Sequence, residues 1–387
     1  MRRVKERPNS LRQPLVRTSV AVATTLAVGL TIGTTVADGA PPPPRPPGPA
    51  AGPTAPSPRI VSVTPFKGRE RLRVFSAAME REVVVDLQRP YDPARPARPG
   101  QKVRLKARPG KRPTIYFLDG AEARETESGW YSETRLADLA SKTDVNVVTP
   151  VGDPHSYYTD WQAPEPGMGN KKFMWETFLT RELPPLLAQR FGSNGVAAIA
   201  GASMGGLAAL AIATRFPHMY TAVGGFSDCA NISSPENQFL TQWDISRGGG
   251  NSVNMWGKFT DPAWRAHDPF VNAEQLAGKT VYLSSGSGMP GTYNNVAADP
   301  LDTTVKGAFL EFGSAVCTGR MTNRLKKLGI PFQGSVKASG THRWEYWRDE
   351  LFTAWPVLMK ALDARISGPI PEAPSSGLAD GLGSSQS

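Results

Sequence analysis

The chain is poor in cysteine and histidine, with two of the first and four of the second in 387 residues. Two cysteines exclude a disulfide-dense miniprotein. No metal-ligating cluster, phosphate-cradling glycine loop or dinucleotide fingerprint occurs, so neither metal nor cofactor is expected. Charged residues make up only 20% and hydrophobic ones 40%, an ordinary globular composition that excludes a coiled coil, a collagen-like chain and a multi-span membrane protein. Acidic residues are also in deficit, 34 against 44 basic ones, a formal excess of +10. Such an excess can signal an anionic partner, but its placement argues otherwise. Arg2, Arg3, Lys5, Arg7, Arg12 and Arg17 against Glu6 alone supply five of the ten charges. The remainder is modest for the length, and no nucleic acid is expected.

That basic start is followed by Thr18 to Ala37, uncharged, small and apolar, closing on Thr35-Val36-Ala37, a small-x-small cleavage pattern. Residues 1–37 read as a secretory signal. Twenty uncharged residues are long enough to span a bilayer, yet six are threonine and two glycine, which favours removal over anchoring and leaves no stable transmembrane segment. A secreted or cell-envelope location is expected. Residues 38–58 form a spacer: ten of the eighteen residues from Pro41 to Pro58 are proline, an extended polyproline segment with no hydrophobic face. The Gly-, Ser- and Pro-rich tail, 368–387, is expected to be disordered. Between them lies one domain, 59–367, without internal repeats. In an exported protein Cys229 and Cys317 suggest one disulfide, whose 88-residue separation corresponds to about 4–5 kcal/mol of stabilisation in the chain-entropy picture.

Inside the domain short apolar runs alternate with amphipathic ones. Ile115 to Leu118, Val145 to Val148, Val196 to Ile199, Ala222 to Phe226 and Val281 to Leu283 read as buried parallel strands. Helices are expected over Tyr131–Ser141, Trp175–Arg190, Ser203–Arg215, Thr303–Leu328 and Trp344–Ala364. Ile60 to Leu87 alternates more strictly, as antiparallel edge strands do. The pattern predicts an α/β architecture, a mostly parallel central sheet with helices on both faces, in the α/β-hydrolase manner.

The sharpest signal is Gly201-Ala202-Ser203-Met204-Gly205, directly after a strand and before the helix-forming run Leu207 to Ala211. It is a nucleophile elbow, in which a tight turn exposes the serine hydroxyl at a helix N-terminus. A serine needs a base, and the base an orienting carboxylate. Of the histidines, His218 sits where the nucleophile helix ends, and His155 and His267 precede the last strand. His342 follows the strand-like run Phe332 to Ala338 and precedes the final helix, in the chain order serine, acid, histidine. Asp299, Asp302 and Glu311 compete as the acid. Glu311 leads, because its helical neighbours Gly307, Ala308, Ser314 and Ala315 are small and offer no cation, so it is expected to pack against another element. The tetrahedral intermediate needs two backbone donors, Met204 after the serine and Ala121 after the strand ending Phe117-Leu118-Asp119-Gly120. Each is worth about 3–4 kcal/mol in the transition state.

Several longer stretches carry a resemblance: Tyr116 to Gly120, Ser156-Tyr157-Tyr158-Thr159-Asp160-Trp161, Trp175 to Pro184, Met255-Trp256-Gly257, Asp261-Pro262-Ala263-Trp264 and Thr341-His342-Arg343-Trp344-Glu345-Tyr346-Trp347. Through them most of Ile60 to Ala364 resembles the secreted actinobacterial mycolyltransferases, which transfer long branched acyl chains from trehalose monomycolate. The resemblance implies a Ser-Glu-His triad whose glutamate follows Phe-Leu, as Glu311 follows Phe309-Leu310. It also implies trehalose mycolates and cell-envelope glycans as partners, and Asp119, Trp161 and Trp344 are candidate sugar contacts, a carboxylate accepting hydroxyl hydrogen bonds and indole faces covering a pyranose, with core packing as the alternative. In one place the pattern departs. Mycobacterial members carry Leu-Arg after the Asp-Gly, the arginine helping to hold trehalose, whereas this chain has Ala121 and Glu122, leaving Arg124 as the nearest substitute.

The leading expectation is an exported acyltransferase that acylates Ser203 and passes the acyl group to a sugar hydroxyl. A secreted carboxylesterase would use the same residues, with water as acceptor. A non-catalytic carbohydrate-binding or adhesion module of the same fold, or a structural wall protein, would not react with a serine-directed phosphonate.

Overall fold

The computed structural model describes residues 56–90, 110–295 and 299–370. The expected signal, most of the proline spacer and most of the tail lie outside these residues. No described helix is long and apolar enough to cross a membrane.

Eight strands form one sheet in the order β1-β2-β3-β5-β4-β6-β7-β8. Strands β1 (Arg59–Phe66), β2 (Arg69–Ser76) and β3 (Arg81–Gln88) make an antiparallel meander that joins β5 (Asn146–Val151), also antiparallel. From β5 onward β4 (Arg112–Leu118), β6 (Ser193–Ala202), β7 (Ala222–Phe226) and β8 (Thr280–Ser284) pair in parallel. Successive side chains of a strand point to opposite faces, and β4 shows the result. Tyr116 and Leu118 enter one core with Leu207 and Leu210 of the helix Met204–Arg215. Ile115 and Phe117 enter the other with Trp355 and Leu358 of the last helix, Trp344–Ala361. This is the expected α/β layering, with helices on both faces.

The regular elements differ from the sequence reading in several places. The expected helix Tyr131–Ser141 is two short ones, Gly129–Ser132 and Leu136–Ser141, because the Thr134 hydroxyl takes the Leu136 N–H. The Trp175–Arg190 helix passes through a wide turn at Phe178–Glu182, where the Leu183 N–H reaches five residues back to Phe178, before Pro184 and Pro185 open the regular helix Leu183–Phe191. Prolines lack the N–H that a tighter register would need. Phe332 to Ala338 is not a regular strand. It touches β8 through two isolated bridges, Tyr282 with Gln333 and Ser285 with Val336. Between them Gly334 takes a φ of 95°, and a β-carbon there would meet the Leu283 carbonyl. Finally, a helix not foreseen, Pro235–Arg247, forms one wall of the cavity described next.

Candidate active site

Ser203 stands between β6 and its helix at φ 55° and ψ −122°, a conformation rare for a residue with a β-carbon. The turn closes because its neighbours have no side chains. A β-carbon on Gly201 would lie 2.3 Å from the Gly205 carbonyl group, and one on Gly205 would lie 2.4 Å from the carbonyl oxygens of Leu118 and Asp119. The Ser203 N–H is tied to the Phe226 carbonyl at the end of β7, 2.8 Å away. Strained serine geometry is thus enforced by backbone packed on backbone.

His342 follows Gly340-Thr341 and leads into the last helix. Its Nδ1 lies 2.7 Å from Oε2 of Glu311, and its N–H donates to the Gly307 carbonyl at 3.0 Å. Glu311, only 1% exposed, comes from the long helix Leu301–Lys327. Its other oxygen accepts from the Ser227 hydroxyl at 2.7 Å and from the Gly286 N–H. Ser227 in turn accepts from Trp347 Nε1 at 2.9 Å, and the Trp347 ring stands edge-on to the imidazole with centroids 4.9 Å apart. A carboxylate so placed fixes the proton on Nδ1 and leaves Nε2 as the acceptor. Along the small-residue stripe Gly307 supplies its carbonyl, and Ser314 donates to the Ser227 carbonyl at 2.9 Å. Asp299 does not meet the histidine; it pairs with Arg343 at 2.6 Å. The Asp302 side chain lies outside the described residues.

Ser203 and His342 line one cavity of about 550 Å³. Ala121 and Met204 line it too, and among the described residues neither N–H donates to a protein acceptor. The Ala121 carbonyl is held by the His155 N–H at 2.9 Å. His155 itself stands 3.2 Å from Asp244, His267 bonds the Ala263 carbonyl and stacks on Trp256, and His218 lies exposed in a turn. None of the three lines the cavity. Among the described residues no three metal-ligating side chains gather.

The three expected sugar contacts have different placements. Trp344 borders the cavity, its ring packed over Gly129 and edge-on to Trp130 and Trp347. Asp119 also borders it, but its oxygens accept from the Ser128 hydroxyl and the Gly129 N–H at 2.8 and 3.2 Å, and burial raises its pKa to about 7. It caps the turn beneath Trp344. Trp161 does not reach the cavity: it is 4% exposed, packs on Phe173 and donates to the Ser156 carbonyl. Arg124 borders the cavity in a 2.6 Å pair with Glu133.

Beyond the serine the cavity runs between two helices. Leu240 and Trp243 of Pro235–Arg247 form one side, and Phe309, Phe312 and Val316 of the long helix the other. These side chains remain 38–65% exposed. Each end of the shorter helix is bridged by an ion pair, Glu236 to Arg320 at 2.9 Å and Arg247 to Glu122 at 2.6 Å. Cys229 and Cys317 also border the space and are bonded to each other, joining the Glu311 helix to the segment just after Ser227. The sequence reading did not single out Asp244 and Arg247, and the one signal for their helix is Ser234-Pro235-Glu236, an N-terminal helix signature.

A serine at a strained elbow, an imidazole held by a buried carboxylate and an apolar trough suit ester chemistry. The sequence profile of the Esterase family, described as "Putative esterase", matches residues 76–358. The chain belongs to this esterase family. Its relatives include the diacylglycerol acyltransferase/mycolyltransferase Ag85A of Mycobacterium leprae, 35% identical over 262 residues, 65% of this chain and 76% of that protein. Ag85B of Mycobacterium intracellulare is 32% identical over 275 residues, 69% of this chain and 81% of its own length. Among solved structures of the fold, Mycobacterium tuberculosis MPT51 (FbpC1) matches with a TM-score of 0.61 at 27% identity, covering 76% of this chain and 98% of its own. An S-formylglutathione hydrolase from Agrobacterium tumefaciens matches at 0.52 and 16% identity, covering 77% and 99%, which speaks to the fold alone. This member of the esterase family therefore has relatives named as acyltransferases, and the solved structures it matches share its α/β-hydrolase-like layering.

Proposed function

We propose that the protein is an exported serine acyltransferase that moves mycolyl groups from trehalose monomycolate to a sugar hydroxyl, on a second trehalose monomycolate or on cell-wall arabinan. Catalysis belongs to the 59–367 domain, delivered by the 1–37 signal and spaced by the proline-rich segment. The observation that carries the chemistry is the 2.7 Å bond from His342 Nδ1 to Glu311, buried behind it, with His342 and Ser203 lining one cavity.

Ser203 Oγ attacks the ester carbonyl as its proton passes to His342 Nε2, while the Nδ1–H keeps its hydrogen bond to ionised Glu311, which stabilises the imidazolium. The developing oxyanion takes the free N–H groups of Met204 and Ala121. Collapse breaks the bond to trehalose, whose oxygen leaves with the proton from Nε2, and the acyl group remains on Ser203. An acceptor hydroxyl then gives its proton to Nε2 and attacks the acyl-enzyme; collapse returns a proton to Ser203 and releases the new ester. The trough of Leu240, Phe309, Phe312 and Val316 supports a long acyl chain, since covering exposed apolar surface yields about 25 cal/mol per Å².

The test is incubation with trehalose monomycolate and chromatography of the products. Dimycolate with free trehalose is expected, and Ser203→Ala abolishes it. Free mycolic acid alone would make the protein a hydrolase, as the esterase family membership allows, and turnover by Ser203→Ala would remove the nucleophile assignment.

A further inference from the structure

One turn beyond Leu240, the cavity face of the helix Pro235–Arg247 changes character to Trp243, Asp244 and Arg247. Of the chain's nine tryptophans, Trp243 alone is exposed, at 46%. Burying an indole is among the most favourable things a fold can do with it, so an exposed one at a cavity rim marks a surface kept for a ligand. One flank is taken by Arg247, whose guanidinium lies 5.3 Å from the ring centre. Arg247 also donates to Glu122 at 2.6 Å and stands 3.6 Å from Asp244. Asp244 Oδ2 accepts from the Tyr157 hydroxyl at 3.1 Å. Burial keeps that phenol protonated, its pKa well above the ordinary value.

The loop behind this rim is held against local preference. Asp153, His155, Tyr157 and Tyr158 all take φ values between 46° and 57°, and such strain in ordinary residues gathers where the surroundings fix a functional geometry. It sets Tyr157 and His155 against Asp244 and ties the His155 N–H to the Ala121 carbonyl. The rim is thus continuous with the loop beside Ser203.

Charge selects the ligand. Glu122 and Asp244 outnumber Arg247, and Arg124 nearby is paired with Glu133, so a phosphate or carboxylate would meet net negative charge. The carboxylates already have donors, which removes the call for a cation. A neutral polyhydroxyl compound fits: its hydroxyls donate to Asp244 and Glu122 and accept from Arg247, and its C–H face covers the indole. We infer that Trp243, Asp244, Arg247 and Glu122 form the subsite for the sugar that accepts the acyl group. The inference rests on the acyl-transfer reading for the sugar's role, though not for its binding.

Two measurements test it. Trehalose is titrated calorimetrically into Ser203→Ala, alone and combined with Trp243→Ala, Asp244→Asn or Asp244→Ala. Trp243→Ala and Asp244→Ala are expected to raise Kd at least about tenfold, and Asp244→Asn by less, as loss of a ring face and of charged hydrogen bonds implies. A Kd unchanged within about twofold in all three, or no binding to the Ser203→Ala parent, overturns the subsite. With Ser203 intact, acyl groups from a 4-nitrophenyl ester are partitioned between trehalose and water. That ratio does not depend on how fast the acyl-enzyme forms, and it should fall about tenfold in Trp243→Ala; an unchanged ratio overturns the assignment. If the unaltered protein releases no nitrophenol, the acyl-transfer reading fails while the calorimetry still decides the subsite.

Discussion

Replacing Glu311 by glutamine is the most direct probe of the site, because the side chain keeps its shape and loses one property. In the structure one oxygen of Glu311 is engaged by Ser227 and Gly286, and the other faces His342 Nδ1 at 2.7 Å. The amide oxygen of glutamine is held where two donors already point. Its NH₂ then faces the imidazole and can only donate, so Nδ1 must become the acceptor and the ring proton moves to Nε2. Ser203 loses its base, and the imidazolium loses its counter-charge. In serine proteases this kind of tautomer reversal lowers kcat about 10⁴-fold, which corresponds to about 5.4 kcal/mol at 1.36 per decade, and a comparable loss is expected here. The assay is burst and steady-state release of nitrophenol from a short ester, with thermal melting to confirm that the fold survives. Asp299→Asn, whose partner is Arg343, serves as the comparison and should change the rate by no more than about twofold, as surface substitutions do. A Glu311→Gln rate within tenfold of the parent, in a folded protein, would show that the carboxylate does not orient the base.

Three further outcomes follow from the same geometry. Replacing Cys229 and Cys317 together by serine should cost about 2–5 kcal/mol in urea unfolding; an unchanged midpoint would mean that the bond contributes nothing. Burial raises Asp119 and Asp228 to about 7, so these two groups hold more protons in the folded chain than in the unfolded one between about pH 4 and 7, and their contribution to stability falls as pH rises through that window. Asp228→Asn should flatten part of that slope in melting curves taken across it, and an unaltered slope would refute the burial argument. Gly205→Ala places a methyl group 2.4 Å from two carbonyl oxygens and should abolish phosphonate labelling; normal labelling would contradict the packing of the elbow.

Features set by local chemistry were readable in advance. The elbow announced itself through glycine spacing between a strand and a helix, and the stripe of Gly307, Ala308, Ser314 and Ala315 pointed to Glu311 as a buried acid. Features set by distant packing were not. Trp161 looked like a sugar contact in its motif, and only the approach of Phe173 explains its burial. The pair of Glu122 and Arg247 joins residues 125 apart, with no local pattern to announce it. Phe332 to Ala338 has the composition of a strand, yet Gly334 in left-handed φ, pressed against Leu283, breaks its ladder.

The way Ser203 is seated has a bearing on how damage to the molecule registers. Its position comes from main chain abutting main chain at Gly201, Gly205, Leu118 and Phe226, with side-chain interlocking contributing little. Substitutions that loosen the greasy layers on either side of the sheet therefore cut the number of competent molecules before they blunt any one of them, and residual turnover in such variants counts the survivors.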